Sequence, residues 1–137
     1  LAEEATRILL VIDTNIIISL IQNDQLAILA RLKGYRAVVP NEVINEVTNA
    51  DQSKILSQAL DDGILARDSV TGITELQLFS DYISRMGRGE AACLAIATSR
   101  GCKLASDEKR RFRRLAIEAI GEERIMTLEM LRNLAEE

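Results

Sequence analysis

The 137 residues, 47% of them hydrophobic, suffice for one domain with a sizeable core and no disulfide staples. With 17 Lys and Arg against 21 Asp and Glu, the formal net charge is −4, which excludes a uniformly basic nucleic-acid coat or a polycationic membrane anchor. There is no histidine, so a Ser/His/Asp triad, a Cys/His pair and a His-ligated zinc are excluded too. Any chemistry must run on carboxylates, hydroxyls, Lys/Arg or an oxygen-liganded metal.

Residues 7–12 form a short run rich in aliphatics, apolar from Ile8 to Ile12 and closed by Asp13, the pattern of a central strand covered on both faces. This run and the next, residues 16–21, are split by Asp13, Thr14 and Asn15, and each falls short of the roughly 20 residues a bilayer span needs. No basic-then-apolar leader precedes them, so a cytoplasmic location is expected. Asp24 is placed to cap a helix over residues 25–33, with Leu26, Leu29, Ala30 and Leu32 at helical spacing and Gly34 marking its end. Residues 36–39 read as a second strand stopped by Pro40, and Asn41 as the cap of a helix through Val47. A helical pattern over residues 53–62 ends at Gly63 and leads into a short apolar run at 64–66. Thr74 and Gln77 have capping-box spacing ahead of a helix reaching Arg85. The loop 86–89 opens a helix over 90–100 that terminates at Gly101.

Residues 103–106 follow as a strand ending on Asp107, then a helix over 108–120 bounded by Gly121, a very short strand at 125–126, and a last helix capped by Thr127. Cys93 and Cys102 sit in apolar stretches without C-x-x-C spacing, as core residues of a protein in a reducing compartment would. No repeat or linker interrupts the chain, so residues 1–137 are read as a single domain. Strands alternating with helices imply an α/β three-layer sandwich with a central, mainly parallel sheet flanked by helices.

In such folds ligands bind beyond the carboxyl ends of the strands. That rule selects Asp13 and Asp107, each directly after a predicted strand; if the two strands are neighbours, their tips lie about 4.8 Å apart. Glu46, early in the helix after strand two, and Glu90, opening the helix before Asp107, can point to the same end. Taken singly, each acid has a bland reading: Asp13 makes an Asx-type turn and Glu90 complements a helix dipole. Together, four carboxylates without a cationic partner repel one another and call for a metal, and oxygen-only ligands favour Mg2+ or Mn2+. Asp13 also interrupts what would otherwise be one aliphatic segment, where a carboxylate is costly without a partner.

Four segments in order carry a resemblance: Val11-Ile12-Asp13-Thr14-Asn15, the stretch from Val39 to Val47 with Glu46, Gly89-Glu90-Ala91-Ala92 and its aliphatic continuation, and Leu104-Ala105-Ser106-Asp107-Glu108-Lys109. The chain resembles the PIN-domain ribonucleases, in particular the small toxin nucleases of bacterial and archaeal toxin-antitoxin pairs. The resemblance implies a compact nuclease in which Asp13, Glu46, Glu90 and Asp107 form the catalytic site around one or two Mg2+ or Mn2+ ions. Asp13 and Asp107 would be direct ligands, Glu90 a direct or water-mediated one, and Glu46 a carboxylate that orients water, with Thr14 or Asn15 supporting the site. It further implies an RNA substrate, an antitoxin partner and a homodimer, with no membrane role. At Glu108 the sequence departs from a frequent pattern in which a second aspartate follows the first. Glu42, four residues before Glu46 and on the same helical face, suits the helix N-terminus electrostatically and is read as structural or peripheral.

Residues 107–114 carry five positive and two negative groups, a concentrated basic segment in an acidic chain. Lys109, Arg110, Arg113 and Arg114 are the candidates for holding the phosphates of an RNA strand, against the bland reading of a solvated helix face. Phe112 is read as packed inward. Competing functions lack their marks. A phosphoacceptor receiver domain would want an acidic pair after strand one and a Lys after the last strand, and a D-x-D phosphatase would want an acid where Asn15 stands. No Gly-rich phosphate loop is present. The alternative that remains is a catalytically weak PIN-like domain acting as an RNA- or protein-binding module, which metal affinity and RNA cleavage measured side by side would separate from the enzyme.

Overall fold

The computed structural model describes residues 7–136. Five strands form one all-parallel sheet in the order β3-β2-β1-β4-β5, comprising β1 (Ile8–Ile12), β2 (Tyr35–Pro40), β3 (Ala66–Asp68), β4 (Lys103–Ala105) and β5 (Ile125–Met126). Helices flank it: α1 (Thr14–Gln22), α2 (Asn41–Glu46), α3 (Ala50–Asp61), α4 (Gly72–Tyr82), α5 (Arg88–Arg100), α6 (Arg111–Ile120) and α7 (Leu128–Glu136). This is the expected α/β sandwich, with the sheet wholly parallel. β1 is the central strand, and Leu10, Val11 and Ile12 are completely buried because both of its faces and both of its edges are covered. Residues 91–97 of α5 are buried on every side, as expected of a helix built from Ala, Cys, Leu and Ile all round. Gly101, at φ +65°, closes that helix in the left-handed conformation glycine adopts without steric penalty.

Several local readings are corrected. Residues 16–21 belong to α1, a helix for which the sequence pattern gave no assignment, since an unbroken apolar run looks the same in a buried strand and a buried helix. The expected helix over 25–33 is a short 3-10 helix, Leu26–Arg31, and Asp24 sits in a turn at φ +54° without capping it. Pro40, not Asn41, precedes α2, and Asn41 is its first residue. Asn49 caps α3 through a 3.0 Å bond from the Gln52 N–H, so the helix starts at Ala50, three residues before the expected residue 53. β3 falls two residues later than the apolar run at 64–66. The Thr74/Gln77 capping box does not form; α4 starts at Gly72, where the Thr71 N–H donates to Glu75 Oε1 at 2.9 Å. The helix expected from residue 108 begins at Arg111, after Arg110 turns the chain at φ +63°. Cys93, Cys102 and Phe112 are buried, as read.

The sheet order reverses direction between β1 and β4, whose register pairs Val11 with Leu104 and Ile12 with Ala105. A crevice outside the carboxyl ends of strands at such a switch point is where open α/β sheets place their ligands. Asp13 follows Ile12 there, and Ser106 follows Ala105.

Candidate metal centre and its cleft

Asp13 ends β1 and caps α1, its Oδ1 accepting the Thr14 N–H at 2.8 Å. Its own N–H continues the ladder to the Ala105 carbonyl at 3.0 Å, which fixes the carboxylate beside β4. There the buried Ser106 hydroxyl donates to Asp13 Oδ2 at 3.1 Å while accepting the Glu108 N–H at 3.1 Å. Ser106 thus ties the first acid to the backbone of another. Asp13 is only 2% exposed, and burial pushes its carboxyl up to about 6; the Thr14 and Ser106 hydrogen bonds pull against this, and the charges of Glu90 and Glu108 add to it.

Glu90 lies in the first turn of α5 and accepts the Gly87 N–H at 3.1 Å. Burial raises its carboxyl above the usual range, and Glu108 and Glu46 push in the same direction. Glu108 accepts a hydrogen bond from the Asn15 side-chain amide. One carboxylate oxygen from each of Asp13, Glu90 and Glu108 lies within 4.8 Å of the others, and none of the three is in an ion pair among the described residues. Three crowded carboxylates with no cationic partner among the described residues, two of them, Asp13 and Glu90, with their carboxyls pushed up, are a donor set that a hard divalent cation fits.

Of the residues singled out from sequence, Asp13 and Glu90 come together at this cluster, with Asn15 beside it on Glu108. Glu46 braces the site from outside: its Oε1 accepts from the Thr14 hydroxyl at 2.7 Å and its Oε2 from the Gly89 N–H at 3.0 Å, linking the starts of α1 and α5. Glu42, one turn earlier on α2, has a buried Oε1 with no hydrogen-bond partner. Asp107 is not brought into the cluster. It is exposed, and its Oδ1 accepts the Leu128 N–H at 2.9 Å, capping α7. The acid that joins Asp13 and Glu90 is its neighbour Glu108, whose signal in the sequence was the glutamate standing where a second aspartate is frequent.

Glu90 and Glu108 open into a cleft of about 330 Å3 whose walls include Arg85, Lys109, Arg110 and Arg111. Because α6 starts only at Arg111, the residues between Glu108 and the helix stay at the cleft. Lys109 and Arg110 were expected at such a surface; Arg111 and Arg85 were not. Arg113 pairs instead with Glu122 at 3.3 Å, and neither it nor Arg114 lines the cleft.

A family model described as PIN domain (DUF3368) matches residues 9–135. In three dimensions the chain is similar to the crystal structure of PAE2754 from Pyrobaculum aerophilum, with a TM-score of 0.59 over 95% of this chain and 91% of that one, at 15% sequence identity. A likeness at that identity bears on the fold alone. No curated protein matches the chain in sequence. Among the described residues no helix is long and apolar enough to cross a membrane. The family model spans β1 through α7 and with them every residue of the acidic cluster, and the chain belongs to the PIN-domain family, whose members are generally nucleases.

Proposed function

We propose that the protein is a divalent-metal-dependent endoribonuclease that hydrolyses RNA phosphodiester bonds in the cytoplasm, as the toxin of a toxin-antitoxin pair. The observation that carries the reading is the trio Asp13, Glu90 and Glu108, of which Glu90 and Glu108 line a cleft walled by Lys109, Arg110 and Arg111. Asp13, Glu90 and Glu108 would hold Mg2+ or Mn2+; Asp107, whose carboxylate caps α7, positions the loop that presents Glu108. A bound ion of this kind would supply a Lewis acid and lower the pKa of bound water toward neutrality. The cationic wall holds the phosphates on either side of the bond to be cut, Thr14 and Gly89 hold the Glu46 carboxylate in place, and Asn15 steadies Glu108. A homodimer is part of the reading. It is supported by a stripe along α4 in which Ile73 and Leu76 are 75% and 51% exposed and Ile83 extends the same face.

The test is cleavage of single-stranded and structured RNA in Mg2+, Mn2+ and EDTA. Cleavage with either metal, lost in EDTA and leaving 5′-phosphate and 3′-hydroxyl ends, is expected. Cleavage that persists in EDTA or leaves 2′,3′-cyclic phosphates would overturn the mechanism, and RNA binding without cleavage would favour the binding-module reading.

Gly89→Ala separates the brace from the fold. A Cβ at residue 89 would lie 2.8 Å from Glu46 Cδ, closer than real contacts allow, and the flexible carboxylate would move aside. Displacing it breaks both of its hydrogen bonds while the helix itself tolerates alanine. Activity is expected to fall about 10-fold or more with stability within about 0.5 kcal/mol of wild type, read from turnover and thermal melting of the same preparation. Unchanged turnover would show that the position of Glu46 is immaterial.

A further inference from the structure

The opposite end of the sheet carries a second concavity, of about 1240 Å3. Arg7 precedes β1, Tyr35 and Arg36 open β2 and Ala66 opens β3, so in this parallel sheet they mark the amino ends of the strands, away from the acidic cluster at the carboxyl ends. Arg7, Arg31, Lys33, Arg36 and Arg67 line it, all exposed, and no Asp or Glu lines it among the described residues. The four ion pairs among the described residues engage Arg85, Arg100 (twice) and Arg113, so none of these five cations is neutralised that way. In a chain of net charge −4, five cations without an ion-pair partner among the described residues, gathered around one hollow, repel one another until an anion meets them.

We propose that this hollow is a second RNA-binding surface, holding a single-stranded segment that flanks the cleavage site by its phosphates. The inference rests on the nuclease reading above. The hollow is too large for one phosphate group, and its cations are spread over three stretches of chain, at residues 7, 31–36 and 67, which suits a polymer with a charge on every unit. Its one aromatic, Tyr35, is already engaged: the Lys103 ammonium lies 5.3 Å from the ring centroid and donates to the hydroxyl at 2.9 Å. With no free ring to stack a base, the surface grips the backbone and tolerates any sequence.

The experiment uses the full chain carrying Asp13→Asn, so that RNA survives, and compares binding of single-stranded RNA of about six and about thirty nucleotides across a salt series. Adding Arg31→Ala, Lys33→Ala and Arg36→Ala is expected to weaken the long RNA at least 10-fold and to flatten its salt slope by about 2, at roughly 0.7 per phosphate contact. The short RNA, which fits the cleft at the other end, is expected to bind as before. The same three positions with charge retained, Arg31→Lys and Arg36→Lys over an intact Lys33, should keep most of the long-RNA affinity, showing that charge and not folding is read out. Equal binding of the long RNA with an unchanged slope in the triple variant overturns the proposal. So does a polyglutamate peptide that binds the hollow more tightly than RNA does, which would assign the surface to an acidic polypeptide. If the chain with its native Asp13 cleaves neither RNA while the triple variant still loses the long one, the nuclease reading fails and the RNA surface stands.

Discussion

Replacing Asp13 by asparagine is expected to reduce metal-dependent cleavage by more than about 100-fold while leaving the metal-free protein at least as stable as wild type. The reason is electrostatic. Asp13 is almost fully buried beside Glu90 and Glu108, and its carboxyl is pushed up to about 6 from an ordinary 3.8. Between those two values the folded carboxyl still holds the proton that the unfolded chain has released, so the folded state binds more protons and stability falls as the pH rises. By pH 7 the cumulative cost is roughly 3 kcal/mol, absent below about pH 4, where both states are protonated. Asparagine carries no such charge and keeps an oxygen for the Thr14 N–H. The stability difference between variant and wild type in EDTA should therefore grow in the variant's favour from pH 4 to pH 7. Mg2+ or Mn2+ should raise the wild-type melting temperature, since an ion that binds only the folded state stabilises it, and leave the variant nearly unmoved. Thermal melts at several pH values with and without metal give both comparisons. An asparagine variant that is unfolded in EDTA would make Asp13 a structural residue and remove the main support for a metal centre.

Much of this site was legible in the sequence because position along the chain and position in space coincide at strand ends. A short aliphatic run closed by Asp13 has the pattern of a covered strand with a carboxylate at its tip, and Gly89-Glu90 at the start of a small-residue helix placed the second acid. The choice between Asp107 and Glu108 was not legible. Two adjacent acids after a strand leave it in opposite directions, and which one turns inward depends on the bond from Ser106 Oγ to the Glu108 N–H and on Leu128 finding its cap in Asp107. Both partners are fixed by the fold, one of them 21 residues away. Helix α1 was missed for a different reason: the short apolar run 16–21 reads equally as a buried strand, and the helical spacing of Ile16, Ile17, Leu20 and Ile21 extends over too few residues to decide between them. The basic segment after Asp107 was visible as composition, yet its division into Lys109–Arg111 at the cleft and Arg113 on Glu122 follows from where α6 starts. That start is set by the turn at Arg110.

The fold itself is expected to fail most sharply at Arg100, in a network that no sequence motif marked. Its Nε donates to Glu75 Oε2 at 2.7 Å, its Nη1 to Asp68 at 2.9 Å and its Nη2 to the Ser69 carbonyl at 2.9 Å, while Ser99 Oγ and the Thr71 N–H complete the shell of Glu75. Glu75 is 4% exposed. Burial alone would raise its carboxyl, but the hydrogen bonds from Arg100, Ser99 and Thr71 outweigh it and hold the group at about 2, below an ordinary 4.5. Arg100→Ala leaves that carboxylate buried without its cation, a loss of about 3–5 kcal/mol, which is a large part of the total stability of an ordinary domain. The network joins β3, the start of α4 and the last turn of α5, so it anchors the far end of the helix whose first turn presents Glu90. In wild type the stabilisation from the low carboxyl is complete above pH 4.5 and is lost as the pH falls toward 2, roughly 3 kcal/mol in all. Glu75→Gln, which keeps hydrogen-bonding oxygen and size but cannot titrate, should be less stable than wild type at pH 7 and lose less than wild type over that acid window. Urea unfolding of the three proteins at pH 7 and in steps down to pH 2 reads both effects. An Arg100→Ala unfolding free energy within about 1 kcal/mol of wild type would show that the guanidinium is solvated and the helix is held by its apolar faces alone.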